Sequence, residues 1–549
     1  MSYLDDIYLV VAPESAAAAF VAAEAAFRPV GLSLNRSKCH AYSACGEVPA
    51  ALRDLQVGTL TCLGSSLPFV SAAEGYVAGA HHVPVGSQPV AGSLAPALAA
   101  HAHFVRNLRE LRAHGLTLQH ALALHRIFTD GAVTHLLRAG VVSHADCALW
   151  DEAVAAFWSE ELSREFSEHQ LAQFFLPLHL GGCGFQSAVW RRAPALLGSW
   201  ELCFHDVAKA LGCPAAASFR AQCPRATAVV EAAHAHVASG QAFPWVQCFG
   251  QPQPKRQAAY AERVAESKHR ELLAELSEED RVDVRSAGGS GAGHFLLPPD
   301  QPDHVICDDH LVVAFRRRLR CPWAAGIPAP AQPPHCNHRN STSGACCGAV
   351  LDARDFHAAT CNIGGGVEHG HNRIRDWLAS WLGEQLGQAV PTETYVPGWD
   401  RQSGALDADG NPRVEHARLD LSFVDGEGRR AYVDVAVTSA GTTSAEARRK
   451  RAATDGAAAA DTVRAKRSRY PAAQLPNNPL TPFVVEALGR LSPEAEGFLR
   501  AHAPEDKAVR SLVLRRAKQA LSVHVQVRLA ELLLSAEPGR RLGAAAPGA

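Results

Sequence analysis

Two short apolar runs separated by a glycine turn constrain this chain more than any other feature. Arg418-Leu419-Asp420-Leu421-Ser422-Phe423-Val424 and Ala431-Tyr432-Val433-Asp434-Val435-Ala436-Val437 flank Asp425-Gly426-Glu427-Gly428. Apolar, β-branched and aromatic residues dominate both runs and the glycines suit a tight reversal, so the segment predicts a β-hairpin. Each run carries an aspartate between apolar neighbours, a position that strands disfavour. A carboxylate placed there needs a compensating partner. In one reading Asp420 and Asp434 pair with Arg418 and Arg430 in a purely structural sheet. In the other they converge at one end of the hairpin, Glu393 reaches them from the preceding extended segment, and the three hold a divalent cation. Hard oxygen ligands of this kind suit Mg2+ or Mn2+.

A second cluster lies upstream. The chain has 15 cysteines, of which Cys336, Cys346, Cys347 and Cys361 fall close together and none follows. An odd total, with no secretory leader visible at the N-terminus, argues against a disulfide framework. Zinc takes four soft or borderline ligands as two closely spaced pairs. His357-x-x-x-Cys361 forms one pair. Cys336 and Cys347 form the other if the polar stretch Asn340 to Gly344 loops out, at modest entropic cost. The expected ligands are Cys336, Cys347, His357 and Cys361; Cys346 or His338 could stand in for one of them.

The rest bounds the class. At 549 residues, with 47% hydrophobic and 20% charged, the chain has room for roughly three or four domains. Its formal charge of -2 means that any nucleic-acid-binding surface must be local. No run approaches the ~20 apolar residues of a membrane span, so no membrane partner is expected. Residues 3–11 read as a hairpin around Asp5-Asp6, followed by an alanine-rich helix at about 14–27 and helical periodicity from about 90 to 200. Gly288 to Gly293 reads as a linker or hinge, Pro322 to Pro334 as a boundary, and the residues after Ser535 as an unstructured tail. Basic runs occur at Arg316-Arg317-Arg318-Leu319-Arg320, Arg448 to Arg451 and Arg464 to Arg469. They are expected either to contact phosphate or to form solvated helix faces.

Several segments resemble one family in the same order. Tyr3-Leu4-Asp5-Asp6, then Gly31-Leu32-x-Leu34-Asn35 and Lys38, resembles the end of a reverse transcriptase palm. Leu176-Pro177-Leu178-x-Leu180-Gly181-Gly182-x-Gly184-Phe185-x-Ser187-Ala188 resembles a segment after the thumb of non-LTR retrotransposon reverse transcriptases. Cys347-Gly348 through His357 and Cys361, then His371-Asn372 and the Asp420/Asp434 hairpin, are similar to the knuckle and restriction-endonuclease-like domain of those elements. The resemblance implies an α+β multidomain chain. Its parts would be a palm end at 1–45, a helical thumb region at 46–200, a helical linker region at 201–335, a knuckle at 336–361, an α/β nuclease core at 362–500, and a C-terminal helix and tail at 501–549.

The resemblance also implies chemistry. Asp5 and Asp6 would bind catalytic magnesium in a polymerase. A third catalytic aspartate and the nucleotide-binding strands lie upstream of that turn in the family, and the chain begins two residues before Tyr3. It is therefore expected not to polymerise DNA by itself and to act beside an upstream polymerase portion. In the nuclease, Glu393, Asp420 and Asp434 would hold the metal. The family's usual lysine two positions after the last acid is absent, since Ala436 stands there. In the retrotransposon version a lysine and a tyrosine follow on a helix, which points to Lys466 and Tyr470, with Lys450 as a competitor. The expected function is metal-dependent nicking of target DNA in the nucleus, with element RNA as a further partner. The alternatives are a non-catalytic nucleic-acid-binding remnant and a decayed product without function.

Overall fold

The structure, a computed structural model, describes residues 2–536 apart from 4–5, 8, 10, 44–47, 58–59, 63–64, 68–93, 141, 239–240, 251–254, 322–333, 353 and 407–411. The chain is α+β. Helices dominate up to Leu386, and a four-stranded sheet and a two-stranded hairpin follow. No helix among the described residues is long and apolar enough to cross a membrane.

The chain forms two compact units. The first comprises residues 1–99, 131–151 and 187–264. Its start shows the expected hairpin, with Ser2–Tyr3 antiparallel to Asp6–Ile7, and the alanine-rich helix at Ala16–Phe27. Asp5 lies outside the described residues, and of Asp6 only the backbone position in the hairpin is described. The core of this unit is aromatic, built on Phe204, Phe219, Trp245 and Tyr260. Glu201 is buried there and accepts a hydrogen bond from the Tyr260 hydroxyl.

The second unit comprises residues 100–130, 152–186 and 265–549. We label its later elements α1 (Glu278–Ala287), α2 (Asp308–Arg318), α3 (Phe356–Thr360), β1 (Thr392–Tyr395), β2 (Arg401–Leu406), β3 (Pro412–Glu415), β4 (Arg418–Val424), β5 (Arg430–Thr438), β6 (Leu480–Glu486) and, around the sheet, α4 (Gly366–Leu386), α5 (Ala445–Ala453), α6 (Ala457–Arg469), α7 (Pro493–Ala501) and α8 (Lys507–Ala536). The sheet order is β6-β5-β4-β1. β4 and β5 are the antiparallel hairpin, and β6 pairs parallel to β5 after a crossover through α5 and α6. One face of the sheet packs Leu421, Phe423, Val433 and Val435 against Ile374, Leu378 and Trp381 of α4, Phe498 of α7 and Leu521 of α8. Ile374, Leu378 and Trp381 recur at i, i+4 and i+7 in the sequence, the spacing of one helical face, and that face is the one α4 buries.

Two segments differ from expectation. Gly288 to Gly293 is no linker: Gly288 and Gly291 to Gly293 are buried. A Cβ at Gly288 would lie 2.7 Å from the Arg490 guanidinium, and one at Gly291 3.0 Å from Lys518. The glycines are there because neighbouring side chains occupy the space a Cβ would fill. Nor is Arg316–Arg320 a basic face. Arg316 and Arg318 are buried. Arg318 donates to the carbonyls of Gly182 (2.8 Å), Ala287 (2.9 Å) and Leu178 (2.8 Å), and Arg316 to that of Leu162 (2.8 Å). The guanidinium fork supplies donors to carbonyls in the turn and at the end of α1, the Leu178 carbonyl also accepting the Gly181 N–H. It ties the Leu176–Gly184 turn to α1. The Pro-rich boundary at 322–333 and the tail at 537–549 lie outside the described residues, while α8 continues through Ser535 to Ala536.

Candidate functional site

The Cys/His cluster closes on itself. His335 to Val350 folds back as an irregular hairpin through bridges His335–Val350 and Arg339–Cys346. The Asn340–Gly344 stretch is the turn, held by the Asn340 carboxamide oxygen on the amides of Thr342 and Ser343 (both 2.9 Å). This brings Cys347 beside Cys336. Asp352 accepts from the amides of Arg354, Phe356 and His357, the last at 2.8 Å, which starts α3 and presents His357 and Cys361 one turn apart on the same helical face. The four ligand atoms of Cys336, Cys347, His357 and Cys361 lie within 4.8 Å of one another. Cys336 and Cys361 Sγ are 3.9 Å apart, and Cys347 Sγ is 3.4 Å from His357 Nε2. Zinc–sulfur bonds of about 2.3 Å in a tetrahedron place sulfurs about 3.8 Å apart, whereas a disulfide needs about 2.05 Å. The group can hold a metal such as zinc.

Neither alternative ligand belongs to the gathered group. Cys346 is exposed, and His338 Nε2 is 3.0 Å from both the Leu532 carbonyl and Ser535 Oγ of α8. Burial pushes the Cys336 thiol up to about 12 and raises that of Cys361, while the Ala349 amide lowers Cys347. Buried thiols of this kind stay protonated until a cation displaces the protons.

The second centre lies where the hairpin opens. The β4–β5 ladder runs from Val424–Arg430 to Leu421–Val433. One residue further stand Asp420 and Asp434, which the register places opposite each other. There the Asp420 carboxylate itself accepts the Val435 N–H at 2.6 Å, and β4 stays with β1 through Thr394–Leu419 and Tyr395–Arg418. Both acids are buried, at 8% and 7% exposure. Neither pairs with Arg418 or Arg430. His371, on the second turn of α4, contacts Asp420 Oδ1 at 2.9 Å through Nε2, and Lys466 of α6 contacts Asp434 Oδ2 at 2.7 Å.

Burial would raise Asp420, but His371 and the Val435 amide outweigh it and hold it below the ordinary carboxylate range. Burial pushes Asp434 up to about 6, further helped by the Asp420 charge and opposed by Lys466. Two carboxylates sharing a buried site behave this way when one keeps a proton. Tyr470 follows Lys466 by one turn, its amide bonded to the Lys466 carbonyl at 3.0 Å. Burial and then the two acids push its phenol up to about 12, and its ring packs on Trp399.

Glu393 is not brought to this pair. It lies on β1 between the residues facing Leu421 and Leu419, but its φ of +53° is left-handed, and its carboxylate is ion-paired with Arg375 of α4. Among the described residues, only the Cys/His group gathers three or more such ligand atoms within that 4.8 Å. Lys450, the competing lysine, is paired with Asp461 at 2.6 Å. In the sequence His371 is marked only by its place in the motif order. Nothing local marks it as the partner of an acid 49 residues away.

No protein-family model matches the chain, and no curated protein matches it.

Proposed function

We propose that the second unit is a metal-dependent DNA endonuclease of the restriction-like kind, in a chain related to non-LTR retrotransposon reverse transcriptases. The single observation that carries this reading is the Asp420–Asp434 pair at the mouth of the opened hairpin, with Lys466 on one acid and His371 on the other. A structural sheet has no use for two facing buried acids, one of them driven to keep a proton. A cation bound between the two acids would remove the repulsion that otherwise holds that proton. Asp420 and Asp434 would hold Mg2+ or Mn2+, which when bound supplies charge neutralisation at a phosphate and a more acidic water.

The chain's own groups supply the rest. Lys466 carries a positive charge to where the phosphorane develops and orients the attacking water. His371 fixes the Asp420 carboxylate. Tyr470, one turn after Lys466, packs its ring on Trp399. Target DNA is the proposed substrate, with element RNA and an upstream polymerase portion as the further partners that the resemblance suggests, in the nucleus.

The test is nicking of supercoiled plasmid in Mg2+. Asp434→Ala and Lys466→Ala should each lose on the order of 100-fold in rate. Equal nicking by Asp434→Ala would remove this centre from the reaction. A second reading, a non-catalytic nucleic-acid-binding protein, is favoured by the Arg375 ion pair that keeps Glu393 from the acids. Plasmid binding without nicking under any divalent cation would select it.

A further inference from the structure

The two centres share two helices. Cys336 and Cys361 sit in one apolar cluster with Leu529, Ala530, Leu533 and Ala536 at the end of α8. The knuckle also caps that helix: the Asn337 amide donates to the Ala536 carbonyl at 2.8 Å, and His338 Nε2 meets the Leu532 carbonyl at 3.0 Å. The last carbonyls of a helix have no partner of their own, so such caps decide whether its final turn forms. From Cys361 the chain passes through Gly364-Gly365 straight into α4, whose first turns lie against the same end of α8. A Cβ on Gly366 would come within 2.9 Å of Leu532 Cδ2, and one on Gly370 within 2.2 Å of Arg528 Cγ. Arg373 adds an ion pair to Glu531 at 2.8 Å. The residue after Gly370 is His371, whose imidazole holds Asp420.

We propose that metal binding at Cys336, Cys347, His357 and Cys361 clamps the start of α4 to the end of α8, and so sets His371 against Asp420 as a positioning residue. Without a cation, Cys336 and Cys347 on the hairpin meet His357 and Cys361 on α3 only through the apolar cluster and two weak thiol contacts, Cys336–Cys361 at 3.9 Å and Cys347–His357 at 3.4 Å, among the contacts described. With it, four covalently tethered ligands fix the platform on which both helix ends rest. Only the last link, from His371 to function, rests on the nuclease reading. The clamp itself does not.

Hydrogen exchange on the full chain tests it. Chelation, or Cys361→Ser, should speed exchange by roughly tenfold or more in residues 366–372 and 529–536 and leave β4 and β5 protected; restored zinc should reverse the chelation effect. Unchanged exchange at both helix ends overturns the proposal. So does loss of protection across the whole sheet, since the metal would then hold the entire unit and not this junction. Gly370→Ala tests the same junction with the metal in place. It should keep its zinc and loosen 366–372, and wild-type exchange there overturns the clamp. In a plasmid assay, His371→Gln, which keeps a donor, should retain more kcat than His371→Ala, with KM equal in both. Loss confined to KM overturns the positioning role. Absence of nicking in every form, with the exchange response intact, rejects the nuclease and supports the clamp.

Discussion

Asp434 is the residue whose environment makes the strongest demand. Burial pushes its carboxyl up to about 6 in the fold against an ordinary 3.8. Between those values the native protein keeps a proton that the unfolded chain has lost. The stability this contributes is therefore full below about 4 and is lost as pH rises through about 6. Metal-free protein should lose on the order of 2 kcal/mol across that window through this one group, measured as the difference between wild type and Asp434→Asn in urea melts at pH 4 and pH 7. A flat difference would contradict the burial of the acid pair. Mg2+ should raise the melting temperature more at pH 7.5 than at pH 5, because the cation must displace that proton.

Arg318 makes a different demand. Burial lowers its guanidinium to about 10, so it stays charged at neutral pH while serving three carbonyls. Arg318→Ala should cost roughly 3–5 kcal/mol in urea unfolding. Arg318→Lys should recover less than half, since an ammonium has no fork. Weaker DNA binding at unchanged stability would instead make Arg318 a phosphate contact.

At the scale of elements, short pieces are made by their caps. α3 spans only Phe356–Thr360, too short to persist by propensity. Asp352 gathers its first two amides, Phe356 and His357, together with that of Arg354 just before it. Asp352→Ala is expected to weaken zinc binding about tenfold or more in a competition with a chromophoric chelator, while Asp352→Asn keeps most of the affinity. Affinity unchanged in Asp352→Ala would mean that His357 and Cys361 are placed by something else. The β4–β5 hairpin, the α4 stripe and the looped Asn340–Gly344 turn were legible in the sequence, because each is written in local periodicity or turn chemistry. The burial of Gly288 and of Gly291 to Gly293 was not. A glycine run that bends freely and one that leaves room for Arg490 and Lys518 are the same letters.

At the scale of the molecule, the basic runs are largely neutralised by their own unit. Arg448 pairs with Glu278 and Glu279, Lys450 and Arg464 with Asp461, Arg467 with Glu494, and Arg469 with Glu415. Arg451 is spent on the carbonyls of Ala440 and Gly441. DNA binding should accordingly show a log affinity against log salt slope shallower than about −4. A slope steeper than about −8 in a fluorescence titration would show that these pairs open onto phosphates.

The sequence by itself determined the elements and the ligand types. Mid-strand aspartates demand a partner, and Cys/His pairs at knuckle spacing suit zinc, because both follow from side-chain chemistry within a few residues. Only the tertiary structure decided the partners. It turned His338 to α8 and left Cys347 to the metal group, put His371 on Asp420 and Lys466 on Asp434, gave Glu393 to Arg375, and buried arginines that read as a basic face. Those choices depend on which helix crosses which strand, and that is set by apolar packing summed over the whole unit.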